Sequence, residues 1–314
     1  MNHIFHHLEP AGEKDLVART DMAAWTLAAV TTPSELINQV TAGDHAVLLL
    51  DWSRRTPDWE SALTDMLAGK LSCTPIIVVQ DSQSTVEGSW IDASAYRHVV
   101  SAEVLNDDFL LPVTLQKLFS DDPFGLEPYL TEGIEPVREV VSHTRQKYGQ
   151  LEVIERFCEL SGVPQRMAMV VVSVVDELLM NAVYHAPVTE DGQRRYASRP
   201  RSEAVDLHFH ERVELRYACD DRVMAVAITD RFGSLGIDTI GETIVRCGRG
   251  ETNPASTTGQ GAGLGLYTVF SGVSHLIFNI EPGKRTEVIA LLDITSSYRD
   301  IIGVPTSLNI FVRA

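Results

Sequence analysis

The stretch "GQGAGLGLYTVF", residues 259–270, places glycines at 259, 261, 263 and 265 and then turns apolar without a break. Ordering a glycine in regular structure costs about 0.5–1 kcal/mol relative to alanine. A run of four implies that backbone must approach something closely, and phosphate is the commonest such neighbour. The pattern lacks the GxxxxGK[ST] of a P-loop. It also fails GxGxxG, because the last glycine position falls on Leu264 or Leu266. What remains is GxGxGLGL opening a helix, where several unhindered N–H groups meet a helix N-terminus, a ready anion site. A linker would be polar on both sides; this one runs into "LYTVF".

A second constellation is "DELLMNAVYHA". On a helix Glu177 and Asn181 share one face, with His185 a further turn along. Leu178, Leu179, Ala182 and Val183 would hold that helix against a core and aim the acid and amide in a fixed direction. A carboxylate and a carboxamide in an apolar helix are costly to bury alone. As hard oxygen donors they suit Mg²⁺ bridging to phosphate. In "AVAITDRFGSLG" Asp230 ends an apolar strand and is followed by Gly233 and Gly236, so its carboxylate can accept from a base amino group. In "PGKRTEVIAL" Thr286 begins a strand after a glycine turn.

These residues need two frames to position them. The first ~120 residues alternate apolar strands ("WTLAAV", "HAVLLLDWS", "TPIIVVQDS") with stretches such as "TPSELINQVTAG" and "PDWESALTDMLAGK", which carry helix starts and end near glycine. This is the βαβ pattern of a doubly wound parallel sheet. "SDDPFGLEPYLTEGIEP", with three prolines, two glycines and several acids, predicts a linker over 121–136. The second domain, 137–314, opens with helical spacing in "VREVVSHTRQKYGQLEVIERFCELSG". "VPQRMAMVVVSVVDELLMNAVYHAP" is β-branched in its middle, but its length and Pro164 predict a helix. "RVELRYACDD", "RVMAVAITD", "KRTEVIALLDI" and "SLNIFVRA" read as strands, and 188–203 as a polar excursion. Helices with an antiparallel sheet predict an α+β sandwich.

Taken in order, helical E-x-x-x-N, strand-end Asp, GxGxGLGL and a later G-x-x-T resemble the ATP-binding domain of the GHKL superfamily, over roughly residues 150–295. The resemblance implies the Bergerat-type α/β sandwich with ATP and Mg²⁺ as cofactors. Asn181 would be a Mg²⁺ ligand, and Glu177, the catalytic residue, would stand beside the metal or polarise the attacking group. Asp230 would read adenine with Gly233 and Thr286 assisting. Gly259, Gly261, Gly263, Leu264 and Gly265 would cradle phosphates, and 237–258 would form a mobile lid. The glycine after the strand-end acid is one place later than the family's D-x-G-x-G. His143 has too little chain before Glu177 to be a kinase phosphohistidine and reads as a plain helix histidine. The compact arrangement looks most like the anti-sigma serine kinases, implying phosphotransfer to Ser or Thr of a partner protein and allowing a homodimer. The alternatives are a non-catalytic nucleotide-dependent switch and a slow ATPase.

The N-terminal segment resembles a response-regulator receiver of two-component signalling, with Asp51 at the phosphoacceptor position. Only Glu9 represents the acid pair, Gln80 and Asp81 stand where a hydroxyl is expected, with Ser82 the nearest, and "YRHVVSAEV" lacks the lysine. This predicts a pseudo-receiver used for protein contact, with Asp51 unphosphorylated.

Composition sets the outer limits. The formal net charge of −17 argues against nucleic acid, which requires a basic surface. No apolar run of ~18 residues is evident, so no membrane span is expected. Cys73, Cys158, Cys219 and Cys247 form no CxxC pair and read as reduced thiols of a cytoplasmic protein; the two resemblances together imply a bacterial-type signalling protein. His3, His6 and His7 read as a tail-like segment with incidental metal affinity, and His208 and His210 as alternating on a strand. No G-x-S-x-G elbow is present.

Overall fold

The computed structural model describes residues 2–17, 25–40, 45–79, 96–107, 109–189, 191–196, 199, 204–249, 262–295 and 304–313. The chain divides into two units, Met1–Ser120 and Asp121–Ala314. The first is built on β1 (Asn2–His7), β2 (Thr26–Ala29), β3 (His45–Asp51), β4 (Thr74–Val79) and β5 (His98–Ser101). Every pairing is parallel, in the order β2-β1-β3-β4-β5. That order reverses between β1 and β3, the switch point of a doubly wound sheet. Val47 to Leu50 of β3 are fully buried, which explains their continuous apolarity. The helices Pro33–Gln39 and Pro57–Leu67 each start with a Thr-Pro pair. The Thr32 and Thr56 hydroxyls accept from the N–H of Glu35 and Trp59, and proline fills the first turn.

The segment read as a histidine tail is β1, lying between β2 and β3. Ile4 and Phe5 anchor it in the core, and burial pulls the His6 pKa below the ordinary histidine value. His7 Nδ1 donates to the Val30 carbonyl at 2.9 Å.

In the second unit the strands are β6 (Val137–Val141), β7 (Val213–Cys219), β8 (Val223–Asp230), β9 (His275–Glu281), β10 (Arg285–Asp293) and β11 (Ser307–Val312). They are ordered β11-β9-β10-β8-β7-β6. All are antiparallel except β11, which runs parallel to β9, so the sheet is mixed and not purely antiparallel as expected. The helices are Gln146–Leu160, Gln165–Met180, Ile237–Gly248 and Ala262–Gly272. The Gln165–Met180 helix packs on β8 and β10 and against the Ala262–Gly272 helix. Its β-branched residues form a helical stripe: Met167, Val171, Val174, Val175 and Leu178 are all buried. Gln165–His185 is, by length and composition, apolar enough to cross a membrane, contrary to the sequence reading, but most of that stretch is buried inside the fold.

Three further expectations are corrected. Residues 137–141 form β6, an edge strand, and the helix begins only at Gln146, which leaves His143 in the connecting turn beside Asp206 at 3.4 Å. The expected linker 121–136 packs onto the second unit. Its Gly125 N–H donates to Glu287 Oε2 at 2.8 Å, Thr131 donates to Asp220, Glu127 pairs with Arg216, and Leu126, Tyr129 and Leu130 are buried. Arg285 lies 3.6 Å over the Phe124 ring and 3.3 Å from Asp122. Two acids of the stretch, Asp122 and Glu127, have arginine partners, whereas Asp121, Glu132 and Glu135 are exposed. Lastly, 237–248 of the expected lid is a helix with Ile240, Thr243, Ile244 and Cys247 buried; residues 250–258 lie outside the described residues.

Candidate functional site

The apolar strand β8 ends at Asp230, directly across from Thr286 of β10. Asp230 is 7% exposed and Thr286 is 1% exposed. The Asp230 Oδ1 accepts from the N–H of Phe232 at 2.8 Å and of Gly233 at 3.3 Å. Burial nevertheless dominates and pushes the carboxyl pKa up to about 6; the two amides and Thr286 oppose it. The Thr286 hydroxyl acts on that carboxyl, yet closes no hydrogen bond of ordinary geometry among the described residues. The pair therefore offers buried polar capacity beyond what the protein uses, as a ligand-reading position does.

Only glycine fits at 233. Its φ is +56°, and a Cβ there would lie 2.1 Å from the Glu281 carbonyl oxygen. The turn after β8 is thus pressed against the β9–β10 turn, where the Gly283 N–H donates to the Gly233 carbonyl at 3.2 Å. One place further on, Ser234 Oγ donates to the Ala186 carbonyl at 2.8 Å. This bond ties the Asp230 turn to the end of the Glu177 helix. Nothing in the sequence marks Ser234 for that role.

Glu177 and Asn181 are half-buried on the Gln165–Met180 helix and at its C-cap. From Asn181 to His185 the helix loosens into a π-turn, with the Ala186 N–H donating to the Asn181 carbonyl at 3.0 Å. Such turns occur often at functional sites. The Ala262–Gly272 helix reaches Glu177 through Gly265: a Cβ on residue 265 would fall 2.1 Å from Glu177 Oε2. The helix that carries Gly263 and Gly265 and the acid–amide helix are therefore brought together. Gly263 and Leu264 stand in the first turn of this helix, whereas Gly259 and Gly261 lie outside the described residues.

Among the described residues no group of three or more His, Cys, Asp or Glu is spaced to hold a metal. A carboxylate beside a carboxamide still fits Mg²⁺, which keeps several waters and takes phosphate oxygens as ligands.

Asp51 is fully buried at the end of β3. Its Oδ1 accepts from Ser53 N at 2.9 Å and Ser53 Oγ at 2.6 Å, capping the turn Trp52–Arg54. Gln80, Asp81 and Ser82 lie outside the described residues. The four cysteines are free thiols, and burial pushes Cys73 and Cys158 up to about 12, which favours the protonated thiol. His208 and His210 are not on a strand: they flank Phe209 in the short turn before β7, rings stacked at 5.8 Å.

Scanned against models of known protein families the chain matches none, and a search of curated proteins finds no match.

Proposed function

We propose that the second unit binds Mg·ATP as GHKL-type domains do and transfers phosphate to Ser or Thr of a partner protein. The observation that carries this reading is the approach of Gly265 to the Glu177 carboxylate, since the two halves of a phosphate site must meet. Asp230, with Thr286 across the ladder, accepts from the exocyclic amino group of adenine. N–H groups of the run 259–265 donate to phosphate oxygens, and Asn181 holds Mg²⁺. The ion, when bound, neutralises charge on the transferring phosphoryl group. Glu177 takes the proton of the attacking hydroxyl as its oxygen bonds to phosphorus and the bond to the ADP oxygen breaks.

In this reading the first unit is a pseudo-receiver, and the whole is a cytoplasmic, bacterial-type signalling protein whose partner is a protein. A second reading, a nucleotide-dependent switch without transfer, draws on Gly233 standing one place late and on Asp51 being committed to a turn. Calorimetry with ATP, with and without Mg²⁺, tests binding, and Asn181→Ala is expected to abolish the Mg²⁺ dependence. Incubation with [γ-³²P]ATP and cell lysate then separates the readings. A labelled protein supports the kinase, free phosphate supports hydrolysis, and neither supports the switch. No binding of ATP removes them all.

A further inference from the structure

Phe209 is 69% exposed, yet it is not on a loose loop. The turn Phe209–Glu211 is pinned by Glu211, which is 1% exposed. Its carboxylate accepts from Arg195 Nη1 at 2.7 Å, Tyr196 Oη at 2.9 Å and the His208 N–H at 2.9 Å. A buried, fully bonded carboxylate thus holds an apolar ring out in solvent.

Two guanidinium groups lie over that ring, Arg212 at 5.2 Å and Arg231 at 5.3 Å from its centroid. Neither has an ion-pair partner among the described residues, and Arg212 Nε is buried with no hydrogen bond. The chain has 43 acidic residues against 26 lysines and arginines. His208 and His210, the sequence neighbours of Phe209, stack on each other at 5.8 Å, and His210 meets Phe232 edge-on at 6.3 Å. Arg231 and Phe232 directly follow Asp230, so the cluster borders the proposed adenine end of the site.

We propose that this cluster is a docking surface for an acidic protein segment that presents an apolar side chain among carboxylates. Phe209 supplies the apolar contact, and Arg212 and Arg231 supply bidentate donors suited to carboxylates. Charge complementarity selects the occupant. The acid surplus elsewhere repels such a segment, so it is held only here and in one orientation. As the partner surface of the proposed kinase it rests on that reading, but its test needs no nucleotide.

Fluorescence anisotropy of the intact chain with a labelled short peptide of glutamates around one leucine reads the interaction directly. Binding is expected to weaken about tenfold or more in Phe209→Ala and in Arg231→Gln, and to weaken with added salt. A lysine–leucine peptide is expected not to bind. The proposal is overturned by unchanged binding in both variants, by equal binding of the lysine peptide, or by no binding up to about 1 mM peptide. It is also overturned if inorganic pyrophosphate binds as tightly as the peptide, which would make this a plain anion site. ATP calorimetry on the same preparation reads the nucleotide site separately, so either can fail alone.

Discussion

Gly265 leaves no room for a side chain against Glu177: a Cβ would stand 2.1 Å from Oε2 and 3.0 Å from Cδ. The obstacle is the far end of a flexible side chain, so Gly265→Ala must move the carboxylate without disrupting the core. Alanine in a helix gains about 0.5–1 kcal/mol over glycine. The expected result is a melting temperature unchanged or raised, together with at least about a tenfold loss of Mg·ATP affinity, worth about 1.4 kcal/mol. A variant that melts early but binds normally would mean that the glycine serves packing alone.

Gly233→Ala is expected to behave in the opposite way. The left-handed backbone costs a non-glycine residue about 1–2 kcal/mol. In addition the new methyl group meets backbone on three sides, at the Glu281 oxygen and at the Gly283 and Lys284 nitrogens. Denaturant unfolding should show a loss of at least about 2–3 kcal/mol. A loss below that would show that the turn can open.

Asp230 gives the protein a pH signature. Its folded pKa, about 6, lies above the unfolded value of 3.8. The folded state therefore keeps a proton that the unfolded chain has released. The resulting stabilisation is complete below the unfolded value and is lost as pH rises through the folded one. Between those limits the loss amounts to about 3 kcal/mol. Asp230→Asn cannot titrate, so its unfolding free energy should lack this fall. Equal pH profiles for the two proteins would place the carboxyl in water.

Asp51 is expected to resist phosphorylation. A Phos-tag gel after acetyl-phosphate treatment should show the same band for wild type and Asp51→Asn, because both oxygens are out of solvent and one holds Ser53. Asp51→Ala removes the cap and should cost about 1–2 kcal/mol in stability. A shifted band in the wild type alone would restore a receiver function.

Legibility followed the physics of each segment. Thr32-Pro33 and Thr56-Pro57 announced their helices because capping is local. β3 and β4 announced themselves because a strand buried on both faces is apolar throughout. β1 was hidden because three of its six residues are histidine. In β6 the residues "VREVV" are mostly exposed and merge with the following helical pattern, so periodicity had nothing to grip. The segment 121–136, rich in proline, glycine and acid, was read as a linker because its partners are distant in sequence: Glu127 and Arg216 are separated by 89 positions. Glu177, Asn181, Asp230 and Thr286 could be singled out in the sequence as residue types in order. The approach of Gly265 to Glu177, the pairing of Thr286 with Asp230, the Ser234 bond to Ala186 and the π-turn depend on tertiary packing and left no local trace.

Along β10 the odd-numbered Arg285 and Glu287 hold Asp122, Phe124 and Gly125, while Thr286 between them faces its ladder partner Asp230. Successive residues of a strand project to opposite sides. The polypeptide emerging from residue 120 is therefore moored to the reverse side of the same strand that supplies the Thr286 hydroxyl. Tension applied at that mooring is borne within one residue of Thr286, the ladder partner of the buried Asp230 carboxyl, with no intervening loop to absorb it.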